Sequence, residues 1–261
     1  MKCKVHIVDP AGNITAFVDG NIEKERYSEI AKRIIEETGS QVEQVAYINK
    51  PINGGEVRID MMGHEFCGNA TRAFGYLYLA LNNETSRSIM VEISGIENPL
   101  EVVVDMEASK ARTDMPFPLS LEYLFVSELE SEIPIIVMDG IMHAIIENYT
   151  ENKEISNLIL ESAKKKFNFD AFGLMYVDGN KMTPLVYVVD TDTLIYEGSC
   201  GSGTMSYAIF LAKDLKDGKY DYCIEQPGGI IDGFITKENN EYLACIMGGK
   251  INIIESIEMD L

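Results

Sequence analysis

The chain has 261 residues, 46% of them hydrophobic and 25% charged. That is an ordinary globular composition, able to bury roughly 70–75% of its unfolded surface without disulfide or metal staples. Its 22 basic and 42 acidic residues leave a formal charge of −20, a surface that repels phosphate backbones and anionic lipids and so argues against nucleic-acid and membrane partners.

Strands are expected at residues 3–8 and 14–18, joined by the turn-forming Asp9-Pro10-Ala11-Gly12-Asn13. Residues 27–38 read as an amphipathic helix, with Ile30, Ala31, Ile34 and Ile35 on one face and Gly39 as its C-cap. Strands follow at 43–48 and 57–60. Residues 68–82 are apolar nearly all round, which predicts a helix buried inside its domain. Short strands at 90–94 and 100–104 precede a polar, Pro-containing stretch, 108–119, which is the expected domain boundary.

The second half repeats this order. Strands are expected at 135–137 and 144–146, and an amphipathic helix at 155–167 with Lys164, Lys165 and Lys166 in its last turn. Strands at 174–177 and 185–189 come next, then another helix apolar on nearly every side at 203–213, then strands at 222–225 and 230–236. Cys67-Gly68-Asn69-Ala70-Thr71 aligns with Cys200-Gly201-Ser202-Gly203-Thr204, so each half carries a cysteine just before its buried helix.

That position has chemical consequences. The first turn of a helix has unpaired N–H groups and the positive end of the macrodipole. It can hold a carboxylate and can lower the pKa of a cysteine from ~8.5 into the range ~3.5–7.5. Gly68 and Gly201 let a ligand approach the backbone, and Asn69 and Ser202 can cap or donate. With two such thiols on opposite faces of one Cα–H, one can remove a proton while the other delivers one. A buried cysteine is ordinarily a small core hydrophobe. Cys3, Cys223 and Cys245, in strand-like runs, take that role, whereas Cys67 and Cys200 are bracketed by glycines and small polar residues. The five cysteines form no CxxC pair, no apolar run approaches the ~20 residues of a membrane span, and Asp9 and Pro10 interrupt any leader-like start. A reducing, cytoplasmic setting without a zinc site or disulfide framework is expected.

Pro10-Ala11-Gly12-Asn13, Gly63-His64-Glu65-Phe66-Cys67-Gly68-Asn69-Ala70, His143-Ala144, Ser199-Cys200-Gly201-Ser202-Gly203-Thr204 and Gln226-Pro227-Gly228-Gly229 occur in that order. Together they resemble the cofactor-independent amino-acid racemase/epimerase superfamily of diaminopimelate epimerase and proline racemase, over nearly the whole chain. The resemblance implies an α/β fold of two pseudo-symmetric domains, each a curled, mainly antiparallel, barrel-like sheet around a central helix, as in diaminopimelate epimerase. The expected divisions are 1–115, 116–250, and a segment 251–261 returning to the first domain. The resemblance also implies a site between the domains, Cys67 and Cys200 as the two bases, N–H groups of Gly68, Asn69, Gly201 and Ser202 around the α-carboxylate, Asn13 as a substrate-site residue, and no cofactor.

Diaminopimelate epimerases carry an Arg after the Glu that precedes the second cysteine, where this chain has Gly198 after Glu197. Ile141 and the segment Asp60-Met61-Met62-Gly63-His64 also depart from that pattern. Glu43, Asp60, Glu65 and Glu197 make the expected pocket acidic, which suits an imidazole or another basic side chain, although spacing alone reads Glu43 and Glu197 as solvated strand-end charges. With Glu43-Gln44-Val45 and the two cysteine segments, the pattern most resembles the histidine racemases of the superfamily. That resemblance makes Glu43 a substrate-site residue and sets Glu197 near the second cysteine. His64 is expected to line the first cysteine loop and His143 to be a structural strand residue. The expected activity is racemisation of histidine by a monomer or homodimer with a small amino-acid substrate. The alternatives are a diaminopimelate epimerase with an altered distal site and a non-catalytic amino-acid-binding or thiol-sensing protein.

Overall fold

The computed structural model describes residues 2–39, 41–190 and 192–261. The protein is mixed α/β, mostly strands, and divides into two compact units, residues 1–114 with 248–261 and residues 115–247.

In the first unit, β1 (Lys2–Asp9) pairs antiparallel with β2 (Thr15–Asp19) and, along its other edge, with β17 (Asn252–Asp260). Helix α1 (Tyr27–Glu37) carries the chain from β2 to its parallel neighbour β3 (Gln44–Asn49). β3 pairs antiparallel with β4 (Val57–Met61), and α2 (Gly68–Leu81) crosses from β4 to the parallel β5 (Ser88–Ile93). β6 (Leu100–Asp105) and β7 (Lys110–Asp114) continue antiparallel. The 108–119 stretch therefore contains a strand: Ala111 and Thr113 are buried, and Thr113 Oγ1 donates to Glu101 O.

The two helices of this unit have different surroundings, as their sequences require. α1 buries one face, Tyr27, Ile30, Ala31 and Ile34, against Val18, Val45 and Tyr47. α2 is buried on nearly every side, with Ala70, Ala73, Phe74 and Leu77 packed among Ile59, Ile89, Val91 and Val102. Burying each Phe or Leu there contributes roughly 1.5–3 kcal/mol.

A buried ionic network braces the strands. Arg58 and Asp60, two residues apart on β4 and so on one face, pair at 2.6 Å, and Arg58 pairs with Glu92 at 3.1 Å. Burial opposes ionisation of Glu92, but bonds from the N–H groups of Ile52, Gly55 and Asn53 and from Arg58 outweigh it and hold the carboxyl down at about 2. Asp60 also accepts from Asn49. This corrects one expectation: Asp60 is 1% exposed and paired with both Arg58 and Lys24, so it is no pocket acid.

The second unit has the same grammar. β8 (Ser120–Val126), β9 (Ser131–Met138) and β10 (Ile141–Ile146) run antiparallel in turn. Helix α3 (Lys153–Lys166) connects β10 to the parallel β11 (Ala171–Asp178). It starts at Asn152, whose Oδ1 accepts from Ile155 N at 2.9 Å, an N-cap that sets its first turn. β11 pairs antiparallel with β12 (Lys181–Val188), and β12 with the short β13 (Thr193–Tyr196). α4 (Gly201–Ala212) is followed by β14 (Gly218–Gln226), parallel to β12, and then by β15 (Gly229–Glu238) and β16 (Glu241–Lys250).

α3 packs Ile159, Leu160 and Ala163 against the sheet, while α4 is buried along almost its whole length. Lys237, 5% exposed, donates to the carbonyls of Ala212, Lys213 and Leu215 and so satisfies the C-terminal end of α4 with a cation that also favours the dipole there. Among the strand cysteines, Cys3 and Cys245 lie in the core as expected, but Cys223 is exposed on β14, where alternation turns its side chain outward. Among the described residues no helix is long and apolar enough to cross a membrane.

Candidate active site

Cys67 is the N-cap of α2 and Cys200 the N-cap of α4. Their backbones are nearly the same, φ −137° and ψ 107° against φ −123° and ψ 112°. In each, the sulfur accepts an N–H from the third residue on: Ala70 N at 3.4 Å from Cys67 Sγ, Gly203 N at 3.3 Å from Cys200 Sγ. In each, the threonine four residues on returns its hydroxyl to the cysteine carbonyl, at 2.8 Å from Thr71 and 2.7 Å from Thr204. Gly68 and Gly201 open the two helices, and both are buried. Two equivalent sulfur caps thus stand at two helix N-termini, each with a positive dipole end beneath it.

Around Cys67, the thiol points to Gln44 Oε1 at 3.1 Å and lies 3.8 Å from Asn13 Oδ1. Asn13 is 4% exposed and donates from Nδ2 to Glu43 Oε2 at 3.2 Å. The Glu43 carboxylate thereby fixes the Asn13 amide with its oxygen toward the sulfur. Asn13 follows a tight turn in which Asp9 Oδ1 accepts Gly12 N. That turn is tied to α2 by Arg72, whose guanidinium donates to Pro10 O at 2.7 Å and to Asn69 Oδ1 at 3.0 Å. The loop before Cys67 rests on Ser94 and Gly95. Ser94 Oγ donates to Glu65 O and accepts from Met61 N, and a Cβ on Gly95, at φ +82°, would overlap Phe66 N. His64, at φ +62°, lies in that loop with its ring 5.8 Å from that of Tyr27.

Around Cys200, the sulfur is 3.5 Å from Ser202 Oγ, and Ser202 Oγ is 3.1 Å from His143 Nε2. The other imidazole nitrogen is 3.0 Å from Ser206 Oγ. His143 is fully enclosed, and burial lowers its pKa to about 3, so at neutral pH it is an uncharged bridge between two hydroxyls. The first turn of α4 presses on Met175: a Cβ on Gly203 would collide with the methionine sulfur.

A helix start by itself lowers the pKa of a thiol. At Cys200 the opposite holds. Burial, and next the negative charge of Glu197, raise it far above its ordinary value. Bonds from Ser202 and from Gly203 N offset this only in part, and the thiol's own hydrogen bond to Glu197 adds to the rise. Burial and the Glu197 charge thus favour the protonated thiol at Cys200.

The structure thus brings Asn13, Glu43, Gly68 and Asn69 together with Cys67, and Glu197, Gly201 and Ser202 together with Cys200. Gln44, Arg72, His143, Ser206 and Gln226 belong beside them; Arg72 and Ser206 go unnamed in the sequence reading, while Gln44, His143 and Gln226 stand in its motifs without a site role. Gln44 had a signal, since it adjoins Glu43 at the start of β3. Among the described residues no group of three His, Cys, Asp or Glu is arranged to hold a metal ion.

The family described as "Histidine racemase CntK N-terminal domain" matches residues 3–256. A histidine racemase of Fusobacterium nucleatum subsp. nucleatum is 34% identical, with 97% of each chain covered. Two solved structures share the fold at low identity. A hydroxyproline epimerase from Agrobacterium vitis with bound trans-4-OH-L-proline has a TM-score of 0.72 at 11% identity, covering 98% of this chain and 92% of its own. A phenazine biosynthesis protein of the PhzF family from Enterococcus faecalis has a TM-score of 0.68 at 15% identity, covering both chains completely. The fold is thus shared with epimerase and PhzF-type structures rather than tied to diaminopimelate epimerase in particular. The protein is an isomerase of the racemase/epimerase class, and it belongs to the histidine racemase family.

Proposed function

We propose that the protein interconverts L- and D-histidine without pyridoxal phosphate, with Cys67 and Cys200 as the two acid–base groups at Cα. The observation that carries this reading is the duplicated sulfur cap: two thiols, each held by an N–H of its own helix, with the same threonine clamp behind it. In the proposed reaction one sulfur, as thiolate, removes the α-proton, and the other, as thiol, protonates the carbanion from the opposite face. Positioned acid–base groups contribute typically ~10²–10⁴-fold. N–H groups of Gly68, Asn69, Gly201 and Ser202 supply donors for the α-carboxylate and the charge that develops next to it.

Support for an imidazole substrate comes from the relative named histidine racemase and from the carboxylates near the two sulfurs, Glu43 held by Asn13 and Glu197 bonded to Cys200. A diaminopimelate substrate would need a cationic partner for its distal carboxylate, and Gly198 stands where that family has Arg. Two working thiols also suit the reducing cytoplasm expected from the sequence. Comparing kcat/KM for L-histidine and for LL-diaminopimelate with the purified protein tests the assignment. The expected result is a preference for histidine of at least about 10²-fold, the worth of one or two charge-assisted contacts. A preference for diaminopimelate would reassign the substrate, and tight histidine binding without turnover would make the protein a binding module.

A further inference from the structure

We propose that Gln226 is the positioning residue of the Cys200 thiol, a role that rests on the reading of Cys200 as an acid–base group. Gln226 ends β14, 26 positions after the cysteine, and is 8% exposed. Its Oε1 accepts Cys200 N at 2.8 Å, and its Nε2 donates to Thr204 Oγ1 at 2.8 Å. Thr204 Oγ1 in turn donates to Cys200 O at 2.7 Å. One side-chain amide thus closes a hydrogen-bonded ring over both main-chain polar groups of the cysteine.

The ring has only one consistent polarity. A backbone N–H can only donate, so Oε1 must face Cys200, and Nε2 must then face Thr204. The threonine oxygen, having accepted that bond, spends its proton on the cysteine carbonyl. The turn that follows adds a second hold, since Gly228 N donates to Gly198 O at 2.7 Å. The peptide groups on both sides of Ser199-Cys200 are therefore clasped by residues 226–228, and the direction of the Cys200 Cα–Cβ bond is set by them.

The first unit is built differently. Ser94, after the strand that follows α2, bonds to Met61 N and Glu65 O, upstream of the cysteine rather than at it. The Gln226 ring closes on Cys200. Loosening it should misplace one sulfur and leave the other unchanged, and a misplacement of about 1 Å costs on the order of 10²-fold in rate.

The test is Gln226→Leu, of similar size, measured for histidine racemisation and for peptide-resolved iodoacetamide labelling of Cys67 and Cys200 in the same native sample. The expected result is a fall in kcat of about 10²-fold with KM changed by less than about threefold, and faster labelling of Cys200 with Cys67 labelling unchanged. Thr204→Val breaks the ring at its hydroxyl and carries the same expectation, so a poorly folding Gln226→Leu does not remove the test. A kcat near that of the parent, or labelling of both cysteines rising together as in general loosening, overturns the proposal. Cys200→Ser serves as the control. If it remains fully active, the two-thiol reading itself falls. If it is inactive while Gln226→Leu is normal, only the role of Gln226 falls.

Discussion

Cys67→Ser and Cys200→Ser are each expected to lower histidine racemisation by about 10³-fold, within the range that a lost acid–base group removes. The substitution isolates chemistry from folding. Serine is among the best N-cap residues, so its hydroxyl can take over the bond from Ala70 N or from Gly203 N that the sulfur now accepts. The threonine clamps to the cysteine carbonyls do not involve the side chain at all. Thermal unfolding should therefore stay close to the parent while activity is lost, because an alcohol does not ionise in the range open to a thiol. Polarimetry with L-histidine, beside a melting curve, checks both halves. A serine variant that keeps more than about a tenth of the activity would remove that sulfur from the role of base or acid.

Glu197→Gln should move the ionisation of Cys200 downward and slow the reaction at once. Three effects raise that thiol: burial first, then the Glu197 charge, then the hydrogen bond that the thiol donates to Glu197. A neutral amide removes the second, weakens the third because its oxygen is a poorer acceptor than a carboxylate, and leaves the first. The pH midpoint for iodoacetamide labelling of Cys200 should fall, although burial still holds it above the ordinary thiol value. Racemisation should nonetheless drop by about 10- to 100-fold, the worth of a hydrogen bond to a charged group. A midpoint that stays in place or rises would mean that the carboxylate does not act on the sulfur.

Much of the frame was legible from periodicity. The run Ala70–Leu81, with Ala, Phe, Leu and Tyr on every side, could be stable only if enclosed, and α2 is enclosed. The one-sided stripe Ile30, Ala31 and Ile34 marks α1 within a residue or two. α4 begins two positions earlier than its apolar run, because Gly201 and Ser202 are helical through their place after a sulfur cap rather than through propensity. β8 and β13 escaped the reading because Tyr123, Phe125, Ile195 and Tyr196 are exposed, so no clean inward face shows in their sequence.

The same contrast holds at the site. The cysteine segments announce themselves by local spacing, and Glu43 and Glu197 through resemblance. Arg72, His143, Ser206 and Gln226 act through partners far away in the chain, such as Pro10 for Arg72 and Ser202 for His143. No local pattern marks Arg72 or Ser206, and the motifs that contain His143 and Gln226 do not show which groups those side chains bond. Asp60 failed in the other direction, since its charge suggested a pocket while its neighbour across one residue, Arg58, had already claimed it.

The most direct measurement is the isotopic content of both enantiomers when L-histidine is converted in D₂O at low conversion. Two separate thiols predict D-histidine labelled with deuterium at Cα in essentially every molecule, with the remaining L-histidine still protiated, because the hydrogen removed and the hydrogen delivered belong to different groups. Equal labelling of both enantiomers, or product that keeps the original protium, would point to a single base and contradict the account.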